Sequence, residues 1–450
     1  MLHRFLAASA AVALSAGGAL AQDLVFPPGE GDFNWDSFEA FAAEHDLSGQ
    51  ELNVFGPWRG DDQELAENML AYFEEATGAD VNYSSSESYE QQIVIDTEAG
   101  SPPDVAILPQ PGLIQNLIDG GFVVPLGEDV GEWMDENYAA GSSWRGLGTM
   151  TSPEGEELMY AFPYKVDVKS LVWYVPDNFD DFGYEIPETL EELDALEEQI
   201  IADGGTPWCI GLGSGGATGW PATDWMEDLM LRIHSPEVYD MWVSNEMEFT
   251  DERVIEVMNA FGDIAKNDDM VAGGAEAVAA TDFRESPLGL FSSPPQCFMH
   301  RQASFIPTFF PDGTEIGVDA DFFYFPASGE GDLGTPVLGA GTLAFITNDT
   351  EASRVFIEWL KTPIAHEVWM AQTGFLTPHT GVNTDLFGDT TLRKMNDILL
   401  EATTFRFDAS DIMPAAVGQG TFWTGMVDFV GGKPAEEVAA EIQQSWDAAK

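Results

Sequence analysis

Glu51-Leu-Asn-Val-Phe55, Ala79-Asp-Val-Asn-Tyr83 and Pro103-Asp-Val-Ala-Ile-Leu108 are three short strand-like runs in the first quarter of the chain. Each is followed by a segment of helical spacing. Asp61 to Ala76 carries Leu65, Met69, Tyr72, Phe73 and Ala76 on one face, and Thr77-Gly78 stops it. Tyr89 to Ala99 is a second helix, ended by Gly100, and Gly112 to Asp119 a third. Strands separated by whole helices cannot be hairpins. The order βαβαβ therefore predicts a parallel sheet with helices on both faces, an α/β fold.

Residues 23–50 read as a lead-in segment to this unit. Downstream, Tyr160 to Val175 is an extended apolar run, predicted to be one long strand crossing from one lobe to another. A second α/β stretch follows. It has a Thr189-capped helix to Ala202, a strand at Trp208–Leu212, helices near 222–233 and 251–266, and a short strand at Ala303–Ile306. Phe322–Phe325 and Leu338–Ile346 are again strand-like, with helices near 350–361 and 364–372. The C-terminal stretch holds helices near 421–430 and from Ala435, where Val438, Ile442 and Trp446 share a face. No short repeat or low-complexity linker separates these units, so the domains are expected to be intertwined.

The 450 residues carry 78 Asp+Glu against 17 Lys+Arg, a net charge of −61. Such a polyanion does not bind nucleic acid or an anionic membrane through bulk electrostatics. With 44% hydrophobic residues it is not disordered either. The charge is spread along the chain and reads as a surface kept soluble in salty surroundings, with a dedicated cation-binding role as the lesser reading. Met1 to Ala21 reads as a secretory leader: a positive start, an apolar run from Phe5 to Leu14, and Ala19-Leu20-Ala21 before the cleavage point. The product is expected to be exported, soluble and not lipid-anchored. Cys209 and Cys297 are either bridged or two buried free thiols. An oxidising compartment favours the bridge, which could contribute about 4 kcal/mol.

Motifs for catalysis fail on inspection. Gly211-Leu-Gly-Ser-Gly-Gly216 matches a dinucleotide fingerprint literally, but Thr218-Gly219-Trp220-Pro221 interrupts the helix that would meet a pyrophosphate. A flexible binding-site loop is the better reading. His366-Glu367 has Met370 where a zinc-protease helix needs its second His, and Lys433 is followed by Pro434, so no phosphate loop exists. No cofactor and no metal site is implied. Among 78 acids, any carboxylate pair for glycoside hydrolysis is without weight.

Sugar recognition needs flat aromatic faces and planar polar groups, and such clusters stand at the strand ends. Gly56-Pro57-Trp58-Arg59-Gly60-Asp61 follows the first strand, Ser84 to Tyr89 with Glu87 the second, and Pro109-Gln110-Pro111 the third. Ligands of open α/β sheets sit at that edge. Tyr164-Lys165-Val166-Asp167 lies in the crossover. Trp220, the run Phe305 to Phe310 and Phe422-Trp423 add aromatic faces, with hydrophobic core as the bland alternative.

Several of these stretches resemble extracellular solute-binding proteins of the maltose-binding type, which feed ABC importers. They are Tyr-Phe-Glu-Glu-Ala-Thr-Gly (72–78), Ala-Gly-Ser-Pro-Pro-Asp-Val (99–105), Ala-Phe-Pro-Tyr-Lys-Val-Asp (161–167), Leu-Gly-Ala-Gly-Thr-Leu-Ala-Phe (338–345), and Ile412-Met413-Pro414 followed by Phe422-Trp423. Residues 55–60, 84–97 and 223–232 look like the periplasmic α-glucoside-binding members. The resemblance implies a two-lobe type II periplasmic binding protein fold, each lobe a mainly parallel sheet flanked by helices. Lobe one would be 22–166 with 318–374, and lobe two 167–317 with 375–450. It implies a non-enzymatic role: capture of an α-glucoside (trehalose, sucrose, maltose or a related sugar) between the lobes, as a monomer, and delivery to membrane permease subunits. Trp58, Arg59 and Asp61 would hold sugar faces and hydroxyls, Glu87, Gln110 and Asp167 would add polar contacts, and Trp220, Phe309 and Trp423 would stack. A secreted glycoside hydrolase, a ligand-sensing receptor partner, and a metal or polyamine binder are the rival readings.

The charge makes a prediction of its own. Removing salt lengthens the range over which the carboxylates repel. The melting temperature should fall steadily from 1 M to 10 mM salt (about 3 Å against 30 Å of screening); scanning calorimetry across that series checks it, and a flat profile refutes it.

Overall fold

The three strands quoted first lie side by side. β1 (Glu51–Phe55) pairs in parallel with β2 (Asp80–Ser84) and with β3 (Val105–Leu108). The structure is a computed structural model that describes residues 24–449, apart from 140, 330–332, 373 and 389. The predicted leader and its cleavage point lie outside the described residues. No described helix is long and apolar enough to cross a membrane.

A hairpin of β4 (Thr149–Thr151) and β5 (Glu157–Met159) leads into β6 (Ala161–Val168). Then come β7 (Leu171–Tyr174), β8 (Met299–Arg301), β9 (Asp321–Tyr324), β10 (Pro336–Ile346) and β11 (Thr404–Phe407). β10 organises the larger sheet. It pairs in parallel with β11 at its start, antiparallel with β3 at its end, and antiparallel with β6 along its other edge. All eleven of its residues are buried. Gly341 is required there, since a Cβ would lie 2.8 Å from the Lys165 carbonyl oxygen. The smaller sheet has the order β8-β7-β9, with both pairings antiparallel. The mainly parallel sheet expected for the second lobe is met only by single bridges, such as Trp208 with Val271 and with Met299.

Several local expectations are corrected. The run 160–175 is not one strand: β6 and β7 belong to different sheets and break at Lys169-Ser170. Both residues give their side chains to a buried polar network instead. Trp208–Leu212 makes isolated bridges and no strand. Ala303–Ile306 is a turn leading into a 3-10 helix, Ile306–Phe309, and the strand falls earlier, at β8. The lead-in segment holds a helix, Trp35–Glu44. Its Trp35 stacks on Tyr72 at 6.1 Å, and Phe41 meets Trp359 edge-on at 5.2 Å. β9, which the sequence division gives to lobe one, pairs with β7, while β11, given to lobe two, pairs with β10.

The network at the break is built on the helix Trp220–Ile233. Asp224, Glu227, Asp228 and Arg232 stand on one of its faces, by helical spacing, and all are fully buried. Asp228 accepts from Ser170 Oγ at 2.8 Å, from Arg232 at 2.7 Å and from Arg301 of β8 at 2.9 Å. Arg232 also donates to the Pro336 carbonyl at 2.6 Å and to the Tyr324 hydroxyl at 2.9 Å. One carboxylate thus ties together the starts of β7 and β10, β8, and the end of β9. Cys209 and Cys297 are bridged, with Cα atoms 5.4 Å apart. Two of the six histidines have structural roles. His366 bonds the Leu360 carbonyl and Thr377, each at 2.8 Å, and His300 bonds the Cys209 carbonyl at 2.8 Å.

Removing a buried partner strands the opposite charges. Asp228→Ala should therefore cost about 3–5 kcal/mol. Asp349→Ala, which breaks an exposed pair with Arg354, should cost less than about 1 kcal/mol. Urea unfolding of the two variants measures the difference, and equal losses would remove Asp228 from its central place.

Candidate functional site

The ends of β1, β2 and β3 open into one cleft, as the carboxyl edge of a parallel sheet does. β6 and β10 form its floor. Alternation along a strand turns Lys165 and Asp167 of β6 to the cleft while Tyr164 and Val166 pack below. Ala340 and Thr342 of β10 line it beside them. The opposite wall is aromatic, with Trp220, Phe283, Phe305, Phe309 and Trp423. The cleft encloses about 1080 Å³ of empty space, its solvent-open mouth included.

Eight of the nine residues singled out by sequence line this cleft: Trp58, Arg59, Glu87, Gln110, Asp167, Trp220, Phe309 and Trp423. Asp61 does not. It opens the helix Asp61–Thr77 on the outer side, and lines a separate acidic hollow with Glu64 and Asp312. The next residue along the helix, Asp62, turns inward instead. Trp58 is nearly buried, edge-on to Trp369 at 4.8 Å and near-parallel to Tyr83 at 6.2 Å. That packing holds Arg59 at the rim, where it meets Glu87 at 3.1 Å.

The aromatic wall is locked by contacts among its own members. Phe283 stands edge-on to both Trp220 (4.8 Å) and Phe309 (5.6 Å), and the Arg284 guanidinium covers its face at 4.2 Å. The glycine loop has a packing task. Gly219 has φ +116°, and a Cβ there would lie 2.2 Å from the Trp423 carbonyl oxygen. This close approach brings Trp220 and Trp423 together. At Gly216 a Cβ would sit 2.9 Å from Ser88 Oγ and Gln91 Oε1. The loop therefore rests on the start of the helix Tyr89–Glu98 and walls one side of the cleft.

Sequence reasoning missed the charged depth of the site. Lys169 is buried between Asp224, at 2.8 Å, and Asp408. Burial disfavours its charge, but the surrounding carboxylates outweigh burial and hold the ammonium protonated well beyond the usual range. Burial also works against Asp408, yet Lys169 and hydrogen bonds bring it down to about 2. Burial pushes Asp224 up to about 7 against the pull of Lys169. It drives Asp411 and Glu227 well above the carboxylate range, helped by the charge of Asp408. Asp224, Glu227 and Asp408 lie close enough to hold a metal ion, but cations of the chain already face both aspartates: Lys169 meets each, and Arg301 stands 3.6 Å from Asp224 Oδ2, which has no hydrogen-bond partner. Lys169 takes the cation's place, and Glu227 accepts from the backbone of Ala409 (3.0 Å) and Ser410 (3.1 Å).

The sequence pattern of bacterial extracellular solute-binding proteins matches residues 56–367. The chain belongs to that family. Its members bind a solute and do not transform it, which sets the hydrolase reading aside. The chain is 62% identical, over the full length of both, to the α-glucosides-binding periplasmic protein AglE of Rhizobium meliloti (strain 1021). It is 40% identical to the osmoprotective compounds-binding protein GgtB of Synechocystis sp. (strain ATCC 27184 / PCC 6803 / Kazusa), over 88% of this chain and 92% of that one. The fold is the two-lobe type II fold of periplasmic sugar-binding proteins. The solved structure of the bacterial solute receptor AcbH matches 88% of this chain and 97% of its own at a TM-score of 0.74, with 17% identity.

Asp62 gives a handle on this solute-binding cleft. Burial raises its carboxyl to about 6, with Asp167 adding to the rise against Lys165. A folded-state value above the unfolded one means that ionisation opposes folding. The penalty is absent below about pH 4, grows from there to pH 6, and is complete above. Asp62→Asn should therefore stabilise the protein by about 1 kcal/mol at pH 8, discounted for partial solvent screening, and by nothing at pH 4. Melting curves across pH read this, and a pH-independent difference would contradict it.

Proposed function

We propose that this protein captures α-glucosides in the cleft and delivers them to the permease subunits of an ABC importer. The carrying observation is the pairing of an aromatic wall with a polar floor. Trp220 and Phe309 offer apolar faces for the C–H faces of pyranose rings. Across from them stand carboxyl, amide and hydroxyl groups that suit sugar hydroxyls. The full-length similarity to AglE points the ligand class the same way, toward trehalose, sucrose, maltose or a related small glucoside. The likeness to GgtB supports testing osmoprotective compounds beside them.

In this reading Trp58, Arg59, Glu87, Gln110 and Asp167 hold one side of the sugar, while Trp220, Phe309 and Trp423 cover the other. The lobes are about 22–166 with 318–374 and about 167–317 with 375–450, adjusted so that β9 moves with lobe two and β11 with lobe one. They close over the sugar on the crossover strands. The chain is exported, cleaved after Ala21, and works as a monomer.

Thermal shift at fixed salt with maltose, sucrose and trehalose tests the assignment. A sugar at about 100 times its dissociation constant adds about 2.7 kcal/mol and raises the melting temperature visibly. That sugar should be recovered intact. No shift with any of the three would withdraw the ligand class, and cleavage of the sugar would restore the hydrolase.

A further inference from the structure

Four buried side-chain atoms of the cleft have no hydrogen-bond partner among the described residues; one, Asp224 Oδ2, faces the Arg301 guanidinium at 3.6 Å, which leaves Glu90 Oε2, Gln110 Oε1 and Thr342 Oγ1. These three come from three places in the fold, the helix Tyr89–Glu98, the loop after β3, and β10. Their side chains line the cleft and are only 5%, 3% and 5% exposed. A protein rarely leaves such groups unpaired, because each then bears its full cost of desolvation. Three in one cleft indicate that something other than the chain completes them.

The three form one corner. Gln110 Nε2 donates to Glu90 Oε1 at 3.4 Å and to the Tyr89 hydroxyl at 3.3 Å, which leaves the amide carbonyl over. The pairing of Leu343 with Leu108 sets Thr342 beside Pro109, the residue before Gln110. On its other edge Thr342 is paired with Lys165, whose ammonium is already committed to Asp167 at 2.9 Å. The corner thus presents two acceptors, joined to each other through Gln110, and one hydroxyl that can both give and take.

That pattern selects a ligand chemistry. An anion would meet acceptors and find no free cation beside them. Burial holds the Glu90 carboxyl above the usual carboxylate range, which disfavours a site built to pair with a cation. Two neighbouring ring hydroxyls fit. Each has a proton to donate to the adjoining carboxyl and amide oxygens, and each keeps lone pairs that can accept from Thr342.

We propose that Glu90, Gln110 and Thr342 are the anchoring corner for two neighbouring hydroxyls on one ring of the bound glucoside, and that they decide which ring, beyond which linkage, the protein accepts. This rests on the reading of the cleft as an α-glucoside site. It adds Glu90 and Thr342, neither of them among the site residues that the sequence reading names, and gives Gln110 a defined partner. A sugar epimerised or deoxygenated at those hydroxyls leaves the acceptors unpaired in the bound state and is rejected, as sites built to bond a hydroxyl reject analogues that lack it.

Calorimetric titration of the full-length wild type, E90Q and T342V, with maltose, sucrose and trehalose, tests this. For each sugar that binds, analogues deoxygenated singly at C2, C3, C4 and C6 of the α-glucosyl ring follow. Melting temperatures without sugar show that the variants fold. The proposal expects each variant to lose about tenfold or more in affinity for the parent sugar. It also expects that loss to shrink below about twofold on the analogue that lacks the partnered hydroxyl, the mark of direct coupling. The affected positions should be adjacent on the ring. Should E90Q fail to fold, T342V on the same analogues decides alone. Parent sugars that bind both variants as tightly as wild type, or a loss equal on every analogue, overturn the corner and leave the α-glucoside reading intact. If none of the three sugars binds the wild type, the α-glucoside reading itself fails and the corner falls with it.

Discussion

The Lys169 ammonium, buried between Asp224 and Asp408, is the interaction on which the two sides of the cleft depend. Lys169 sits where the chain leaves the larger sheet for the smaller one. Asp224 belongs to the helix that begins with Trp220 of the aromatic wall, and Asp408 follows β11 of the larger sheet. The same bend carries Ser170, bonded to Asp228 and receiving the Leu338 backbone amide at 2.9 Å. A few polar side chains therefore fix the angle at which floor and wall meet. Apolar packing alone would not specify that angle, because apolar contacts are non-directional.

The charge balance makes this arrangement unusual. The chain has only 17 Lys+Arg, and four of them, Lys165, Lys169, Arg232 and Arg301, are buried. Buried Lys and Arg are uncommon without paired acids. Here each of the four lies beside a buried acid. The network around Lys169, Arg232 and Arg301 holds five carboxyls: Asp224, Glu227, Asp228, Asp408 and Asp411. Burial drives Glu227 and Asp411 toward their neutral forms and raises Asp224 to about 7, so the five acids carry less than their full charge beside the three cations.

The frame of the larger sheet was legible because hydrophobic period and stop signals act locally. Leu65, Met69, Tyr72 and Phe73 announce their helix, and Gly78 its end. What escaped were features set by distant partners. β6 and β7 look like one strand because the run is apolar throughout, and the break comes from side chains more than 50 residues away, at Asp224 and Asp228. Within the site, Trp58, Arg59 and Gln110 were visible because they follow strands at the ligand edge. Asp61 was misplaced by one helical position, a 100° turn that sequence does not resolve at a helix start. Asp408 and Asp411 carried no contrast against 78 acids. Lys169 did carry a signal: a lysine inside an apolar run must be paired, and that alone could have directed attention to a buried acid.

The polyanionic surface also constrains the cargo. A receptor of net charge −61 disfavours the approach of anions and collects cations without selectivity. A neutral polyol is nearly indifferent to that field. In the proposed reading its recognition comes from short-range contacts that the field cannot imitate: ring faces against Trp220 and Phe309, and hydroxyls against buried acceptors. The aromatic contacts tolerate many pyranoses, because most have an apolar face. The acceptors do not, because a missing hydroxyl leaves them unpaired where water is excluded. In that reading, affinity and selectivity reside on opposite walls of one cleft. The Lys169 network that sets the angle between those walls decides whether one sugar can satisfy both at once.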